Sequence, residues 1–255
     1  MVAQTSQPAV ALRPRAFVRV AGSDAEDYLQ RMVSNDVEAL AAGDTCDALL
    51  LTPKARLIAT LRIWRRGSDD FLLLTEPELG DGLLAELRRM RFAAKCEIEP
   101  EHHSSTIVFG GDEGIPNHDY GEPAREVLDV ELEPTLAEAE LERLRIEAGT
   151  PRYGRELDDR VLPAEAGLDK THISFTKGCY PGQEPIARLH YRGHLNRRLR
   201  VLDVESANPG DEIEYDGKSV GRITSAVPGL ALAYVREEVP DDAELSIGSR
   251  TARLH

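Results

Sequence analysis

The sequence has few cysteines and no long apolar run. Its 255 residues contain only Cys46, Cys96 and Cys179, which are too few and too far apart for a disulfide framework or a CxxC zinc or redox motif. No stretch of about 18 apolar residues is present, and the segment MVAQTSQPAVALRPR lacks the features of a signal peptide. These absences predict a cytoplasmic protein with reduced thiols and no membrane segment.

Basic residues are also in deficit. Lysine and arginine number 31 against 45 aspartates and glutamates, which gives a net charge of −14. Broad nucleic-acid binding needs a basic face, so the charge predicts no direct nucleic-acid partner, although a local basic patch is compatible with the same totals. The chain has no GxxxxGK[ST] loop, and GGDEG at 110–114 is too short for a dinucleotide fingerprint; we interpret it as a hairpin loop.

Apolar periodicity in the first three quarters of the chain predicts strands mixed with helices. The helix signals are two capping boxes, Ser23 with Glu26 and Thr135 with Glu138, and a C-terminal glycine at Gly149. The predicted strands are FVRV at 17–20, a meander of DALLL, LIATLRIW and FLLLT, and shorter segments at 95–99, 105–109 and 126–132, with a helix near 79–90 between them. This order favours an α+β fold with a largely antiparallel sheet.

After residue 195 the pattern changes to closely spaced short strands. LRVLDV, DEIEY, KSVGRITS, LALAYV, ELSI and SRTARL follow one another with a DG turn at Asp216 and Gly217 and no helical period. This region is therefore predicted to be a small β-barrel or sandwich.

Glu147 is a candidate ligand-binding carboxylate in the segment RLRIEAGTPRYG. It falls in the last turn of a predicted helix, where a negative charge opposes the helix macrodipole unless a donor compensates. A 2-amino-4-oxo-pteridine offers two adjacent N–H donors that one carboxylate can accept. The alternative is an ordinary ion pair with Arg143 or Arg145.

Cys179, in KGCYPGQE, is a candidate reactive thiol. Neighbouring glycines leave it accessible, and Lys177 and Arg188 could stabilise its thiolate. A Cys-His nucleophile with His190 or His194 fits equally well, and the plain alternative is a small residue in a tight turn. A zinc site from the same cysteine and histidines is disfavoured because the spacing matches no structural zinc site.

Several segments together resemble a known family. KGCYPGQEPIARLHYRG, the preceding RIEAGTPRYGRELDDRVLPAEAGLDKTHISF and the N-terminal VAGSDAEDYLQRMVSNDV are similar to the YgfZ-like proteins, relatives of the glycine cleavage T protein, an aminomethyltransferase. The resemblance covers nearly the whole chain, and KGCYxGQE is highly specific.

The resemblance implies an aminomethyltransferase-like folate-binding fold of α+β class with antiparallel sheets. Residues 1–192 would hold two α+β subdomains, one of them ferredoxin-like over about 46–140, and residues 193–255 a C-terminal β-barrel. It also implies that tetrahydrofolate or a one-carbon derivative is the cofactor. The protein would support iron-sulfur cluster assembly or repair in client enzymes, and thereby tRNA modification.

The resemblance also carries site residues to this sequence. Cys179 would be the catalytic thiol. Folate would be bound by Glu147, Arg188, Tyr180 and Asn35, and the motif would be supported by Lys177, Gly178, Gly182, Gln183 and Glu184. No metal ligand is expected. One or two arginines of the local basic run Arg188, Arg192, Arg197 and Arg198 are expected to meet the folate glutamate tail.

Two departures from the T protein matter for activity. The strand LIATLRIWR has Ala59 and Thr60 where aminomethyltransferases carry an acidic pair, which removes the obvious acid-base group and disfavours glycine cleavage. The C-terminal barrel also looks trimmed. A folate-dependent aminomethyl- or methyltransferase acting on a small amine is the alternative function, and a binding module without turnover is a third, so the sequence leaves open whether the protein is an enzyme.

Overall fold

The computed structural model describes residues 8–255. The segment MVAQTSQPAVALRPR, which was predicted not to be a signal peptide, therefore lies partly outside the described residues. Within this range no helix is both long and apolar enough to cross a membrane. The strands are β1 (Val10–Leu12), β2 (Ala16–Ala21), β3 (Thr45–Leu51), β4 (Leu57–Arg65), β5 (Asp70–Thr75), β6 (Glu97–Glu101), β7 (Ser105–Phe109), β8 (Ile115–Asn117), β9 (Ala124–Leu128), β10 (Arg197–Val204), β11 (Glu212–Tyr215), β12 (Lys218–Val227), β13 (Gly229–Arg236), β14 (Glu244–Ile247) and β15 (Arg250–Leu254). The helices are α1 (Ala25–Met32), α2 (Gly80–Met90), α3 (Glu138–Glu147) and α4 (Gln183–Arg192), with 3-10 turns at Pro77–Leu79 and Leu168–Lys170.

The first sheet is antiparallel, with its strands in the order β3, β4, β5, β2, β6. Helices α1 and α2 cover one of its faces, where Ile63, Phe71 and Val20 form a buried core with Leu29 and Leu83. Successive strand residues point to opposite faces. The residues between these core positions therefore point the other way, and on β2 and β5 they pack against β8 and β9 of the second sheet.

The second sheet has the order β1, β7, β9, β8 and packs against α3. Leu141 of α3 is buried with Ala11 and Ile107 of this sheet. One and a half turns later Ile146 of the same helix is buried against Leu230 and other residues of the C-terminal barrel. Helix α3 is therefore shared between the second sheet and the barrel.

The C-terminal region is a closed barrel with the strand order β10, β13, β12, β11, β14, β15. It closes because β10 pairs with β13 on one side and with β15 on the other. At the DG turn between β11 and β12, Asp216 has φ 51° and Gly217 has φ 70°, as a tight two-residue hairpin turn requires. The predicted barrel and its strands are confirmed, and so is the α+β fold class.

The other strand predictions are largely confirmed, with one error in connectivity. FVRV lies within β2, the meander forms β3 to β5, and STIVF coincides with β7. The hairpin interpretation of residues 110–114 is wrong, because β7 and β8 do not pair with each other; each pairs with β9. Strands β1 and β8 were not predicted, since three residues are too few to show an alternating pattern.

Both predicted capping boxes are wrong, although the helices exist. Helix α1 has Asp24 at its N-cap, and the Ser23 hydroxyl donates to the Asp24 carboxylate at 3.0 Å. Helix α3 begins at Glu138, while the hydroxyl of Thr135 accepts a hydrogen bond from the Val10 N–H at 2.9 Å. Thr135 is therefore used to hold β1. The predicted stop is confirmed, with Gly149 at φ 70°.

The expected subdomain at residues 46–140 does not coincide with one sheet. Strand β2 lies between β5 and β6 in the first sheet, and β1 is an edge of the second sheet. The N-terminal chain therefore contributes to both sheets, and the range 46–140 cuts across them. The boundary between residues 192 and 193 stays a prediction.

A buried ion network joins the two sheets. Glu126 on β9 is fully buried, and Arg15 donates to its two carboxylate oxygens at 2.9 and 3.1 Å. Asp119, which precedes β9, accepts a hydrogen bond from Arg62 of β4 at 2.9 Å. Burial alone would raise the pKa of Glu126, but the ion pairs with Arg15 and Arg62 bring it below its ordinary value.

We predict that Glu126→Gln destabilises the protein by about 3 kcal/mol or more at pH 7, because the buried Arg15 loses its nearest charge partner and keeps only the longer contacts to Asp119 and Glu76, at 3.3 and 3.7 Å. The stabilisation from the lowered pKa is present above the pKa of the unfolded carboxyl and is lost as the pH falls through the folded value. The difference between the two proteins should therefore shrink below about pH 4. Urea unfolding at several pH values measures this. Glu244→Gln, on an exposed barrel pair with Arg253, is the control. A Glu126→Gln protein as stable as its control would contradict the assignment.

Candidate functional site

A cavity of about 720 Å³ lies where the two sheets, α3 and the barrel meet. Strand β4 contributes Thr60 and Arg62 to its wall, α3 contributes Leu141 and Glu142, and Leu199 comes from the barrel. Much of the remaining wall is formed by loop segments around residues 13–15, 118–120, 148–152 and 166–172. The cavity is therefore built by every major part of the fold.

The wall of this cavity is rich in paired charges. Arg62 donates to Asp47 at 2.9 Å and to Asp119 at 2.9 Å, and Arg13 donates to Glu76 at 3.0 Å. Burial alone would raise the pKa of Glu76, but the hydrogen bond and charge of Arg13 leave it below its ordinary value. Asp119 and Glu76 are therefore held as anions by arginines, because their charge partners keep both pKa values below the ordinary ones.

Two arginine donors beside the cavity form no hydrogen bond within residues 8–255, although Arg62 Nη1 lies 3.7 Å from the Glu126 carboxylate. Among the described residues, no hydrogen-bond partner reaches the buried Arg13 Nε or Arg62 Nη1. Both side chains line the cavity and both residues are more than nine-tenths buried. A buried donor without an acceptor is costly, so these two atoms fit a ligand that brings acceptors to this wall.

Glu147 lies in the last turn of α3, as expected, but its side chain is exposed and does not line the cavity. The expected alternative, an ion pair with Arg143 or Arg145, is wrong. Arg143 donates to the Pro228 carbonyl at 2.8 Å, and Arg145 donates to Glu142 and to the buried Glu156. No residue from 8 to 255 gives the Glu147 carboxylate a hydrogen bond or ion pair, whereas the next residues, 148–150, line the cavity.

Ala59 and Thr60, at the positions where an acidic pair is expected in aminomethyltransferases, lie in different surroundings. Ala59 is buried in the core under α1 and α2, and Thr60 lines the cavity. Carboxylates are still present nearby, because Asp47 on the neighbouring strand β3 also lines the wall. That carboxylate is held by Arg62, so the loss of the acidic pair is not compensated by a free base.

Asn35 supports the cavity wall from behind. Its side-chain amide donates to the Asp47 carbonyl at 2.7 Å and to the Thr171 carbonyl at 3.0 Å, and both of these residues line the cavity. Ser34 acts in the same way, since its hydroxyl donates to the His172 carbonyl at 2.6 Å. Asn35 itself does not line the cavity, so its predicted folate contact stays a prediction.

Lys177 fixes the start of the cysteine-bearing loop. Its buried ammonium donates to the carbonyls of Gln30, Val33 and Asn35 at 2.5, 2.8 and 2.8 Å. These carbonyls lie at the C-terminal end of α1 and just beyond it, where a helix leaves acceptors unsatisfied and favours positive charge. Burial lowers the pKa of Lys177 to about 8, so the side chain is still charged at neutral pH.

This arrangement corrects the role expected for Lys177. All three ammonium protons are used by backbone carbonyls, so none is left for the Cys179 sulfur. Cys179 itself is exposed, and it does not line the cavity. The structure therefore places the thiol and the cavity at different sites.

Gly182 and its neighbours attach the loop to the first sheet. Gly182 has φ 84°, and a Cβ atom there would lie 2.7 Å from the Thr52 carbonyl oxygen and 3.1 Å from the Ala55 Cα. Only glycine fits this contact. Gln183 and Glu184 form the first turn of α4, whereas Gly178 is exposed with open space around it.

Tyr180 anchors the loop from its other side. Its ring is buried with Leu49 and Ile186, and burial raises its pKa to about 12. The hydroxyl is buried and finds no hydrogen-bond partner in the described part of the chain. Tyr180 does not line the cavity, so its predicted folate contact also stays a prediction.

The basic and histidine residues after the loop lie outside the cavity lining. Arg188 pairs with Glu184 at 2.7 Å on the exposed face of α4, and Arg192 is exposed at the end of that helix. His190 stacks on Phe175 with 3.9 Å between ring centroids. Residues 8–255 contain no cluster of three or more His, Cys, Asp or Glu side chains that could hold a metal ion.

Sequence reasoning missed the arginines that shape the cavity. Arg13, Arg15 and Arg62 were not among the candidates. The only signal was their setting, since Arg62 interrupts the apolar strand LIATLRIW and the other two flank a proline beside β2. A charged residue inside an apolar strand is costly unless paired, which is the argument that could have identified Arg62.

Comparison with known proteins gives relatives over most of the chain. Residues 196–255 match the family model described as the CAF17 C-terminal beta-barrel domain. An uncharacterized protein of Haemophilus influenzae is 31% identical over 234 residues, covering 86% of this chain and 84% of the relative. The tRNA-modifying protein YgfZ of Yersinia pestis is 26% identical over 263 residues, covering 86% of this chain and 79% of the relative.

A solved structure shares the fold. The glycine cleavage system aminomethyltransferase T of Bartonella henselae matches with a TM-score of 0.81 at 17% identity, covering 97% of this chain and 84% of that one. At this identity the likeness concerns the fold alone. It confirms the expected aminomethyltransferase fold.

We predict that Lys177→Met lowers the free energy of unfolding by about 1 to 3 kcal/mol, because three buried carbonyls lose their donor. Lys177→Arg should not restore it, since a planar guanidinium does not match three converging carbonyls as an ammonium does. Urea unfolding measures the change. Lys218→Met, at an exposed position of β12, is the control. Unfolding curves of Lys177→Met and wild type that coincide would refute the anchoring role.

Proposed function

We propose that this protein supports tRNA modification as a folate-binding accessory protein of iron-sulfur enzymes. The chain belongs to the YgfZ-like branch of the glycine cleavage T protein (aminomethyltransferase) superfamily. The tRNA role is carried over from the name of the Yersinia relative. The folate part is supported chiefly by one observation, the cavity with two unpartnered arginine donors in its wall.

The residues of the cavity fit a reduced folate. A pterin ring carries a carbonyl and ring nitrogens that can accept hydrogen bonds from Arg13 Nε and Arg62 Nη1. Leu141 and Leu199 offer apolar wall to the aromatic middle of the molecule, and Lys170 at the cavity is exposed and suits the carboxylates of the glutamate tail. When bound, the folate would supply a carrier for a one-carbon unit.

Glu147 remains our proposed acceptor for the pterin N–H groups. Its carboxylate opposes the negative end of α3 without a donor from the described residues, and it directly precedes the cavity-lining residues 148–150. A ligand donor at this point would remove an unfavourable interaction with the helix macrodipole. The basic run fits the tail less well than Lys170 does, because Arg188 and Arg197 already have carboxylate partners, Glu184 and Glu165.

We propose that Cys179 acts on a partner protein rather than on the folate. The thiol is exposed, lies outside the cavity lining, and sits in a loop fixed by Lys177, Tyr180 and Gly182. A rigid, exposed thiol is suited to transient contact with an iron-sulfur client or to thiol exchange. Cys46 is a poor substitute, because burial raises its pKa to about 12.

Folate-dependent aminomethyl or methyl transfer to a small amine is the alternative function. It needs a base near the reacting amine, and the position expected to supply one carries Thr60. Asp47 and Asp119 lie in the same wall but are both hydrogen-bonded to Arg62. The cavity chemistry therefore favours binding over transfer.

We predict that tetrahydrofolate binds the wild-type protein and that Glu147→Ala weakens binding roughly tenfold or more, because a charge-assisted acceptor is lost. A calorimetric titration under anaerobic conditions measures this. Glu205→Ala, which removes an exposed carboxylate on the barrel, is the matched control. Equal affinity of Glu147→Ala and the control would remove Glu147 from the site, and no binding by wild type would reject the folate proposal.

We predict that Cys179→Ala folds normally and binds tetrahydrofolate as wild type does, yet fails to restore iron-sulfur enzyme activity and tRNA modification in cells lacking the native protein. Cys46→Ala and Cys96→Ala should restore both, because those thiols are half-buried and buried. Iodoacetamide labelling followed by mass spectrometry should modify Cys179 first. Full complementation by Cys179→Ala would exclude a role for the thiol.

A further inference from the structure

We propose that the surface around Cys179 binds a single-stranded loop of RNA. This inference rests on the proposed role in tRNA modification, for which it names an RNA partner beside the thiol loop; the Cys179 sulfur itself remains assigned to the client protein. The surface consists of exposed basic residues on three segments next to the thiol loop, and we call it the cationic face: Lys54, Arg56, Arg160, Arg188 and Arg192.

Packing brings these segments together. Gly182, three residues after Cys179, lies directly against the turn at 52–55, which places Lys54 and Arg56 beside the start of α4. Arg56 donates a hydrogen bond to the Arg160 carbonyl at 2.9 Å, which joins the third segment. Arg188 and Arg192 follow one turn apart along α4, so both lie on one side of that helix.

The cationic face has more positive charge than its surroundings neutralise. Within residues 8–255, no carboxylate pairs with Lys54 or Arg192. The nearby carboxylates are Asp158, Asp159 and Glu184. Asp158 accepts hydrogen bonds from two backbone N–H groups. Asp159 pairs with Arg160, and Glu184 pairs with Arg188. In a protein of net charge −14, this local excess of cations would attract a polyanion to the side that carries the thiol.

Three arginines of the barrel, in contrast, have their charge neutralised by a carboxylate. Arg198, Arg200 and Arg253 are paired with Glu237, Asp241 and Glu244. Arg253 is therefore a suitable comparison for the cationic face, because it is exposed and its charge is already paired.

Exposed aromatic rings favour RNA over an acidic protein. Tyr191, next to Arg192, is 68% exposed. Its ring is nearly perpendicular to that of His190, with 4.8 Å between the centroids, and His190 stacks on Phe175. Aromatic faces beside arginines stack on unpaired bases while the cations hold the phosphates, whereas an acidic peptide gains little from such rings. A single-stranded loop satisfies both features.

The test measures fluorescence anisotropy of the full chain with a labelled RNA stem-loop and with a fully paired duplex of equal length, over about 50 to 200 mM salt. We expect tighter binding of the stem-loop. Tyr191→Ala should weaken it about fivefold or more through lost stacking, while Tyr191→Phe retains it. Lys54→Gln and Arg192→Gln should each reduce the salt slope by about one. Arg253→Gln on the barrel is the control, and circular dichroism checks that every variant is folded.

Three results would overturn the proposal. The first is that the stem-loop does not bind at low salt. The second is that Arg192→Gln and the Arg253→Gln control lose the same affinity for the stem-loop. The third is that Tyr191→Ala leaves the affinity unchanged and polyglutamate displaces the RNA, which would indicate an acidic protein partner. RNA binding is measured without folate and the folate titration without RNA, so failure of either leaves the other result intact.

Discussion

The rest of the structure depends on the burial of paired arginines and carboxylates between the two sheets. Arg15 and Arg62 reach from the side of the first sheet to Glu126 and Asp119 of the second, and Glu126 has no exposed surface. Removing such charges from water is favourable only when each finds its partner, so the network requires one relative position of the sheets. The same arginines form the cavity wall. The shape and polarity of the cavity are therefore set by the interaction that joins the fold.

The cavity and the exposed thiol are separate, but they share one short segment. The Asn35 carbonyl accepts a hydrogen bond from Lys177 at the base of the thiol loop. The Asn35 side chain donates to Asp47 and Thr171 in the cavity wall. A rearrangement of the wall around a ligand would therefore act directly on the residue that holds the loop. This continuity of contacts explains why NDV and KGCYPGQE, far apart in the chain, belong to one structural unit.

The sequence was a good guide wherever a feature is local. The barrel strands and the meander have strong alternating patterns, and their turns carry glycine, aspartate or proline, so they could be located without a structure. The predicted cap of α3 failed because the Thr135 hydroxyl accepts a hydrogen bond from Val10, a contact that no local pattern reveals. The cavity arginines were invisible for the same reason, since their partners lie on other elements. Cys179 was correctly predicted to be accessible, but its distance from the cavity and the true partners of Lys177 depend on how α1 packs, which spacing does not encode.

Helix α3 has a consequence for how this fold can be rearranged by gene fusion or domain exchange. Leu141 belongs to the core of the second sheet, and Ile146 belongs to a core shared with barrel residues Leu230 and Leu232. A barrel transplanted from a relative would have to match the surface of this helix as well as close on itself. The barrel closes through its own strand pairs, but its outer surface packs on α3. That surface must therefore evolve together with a helix that ends some fifty residues before the barrel begins.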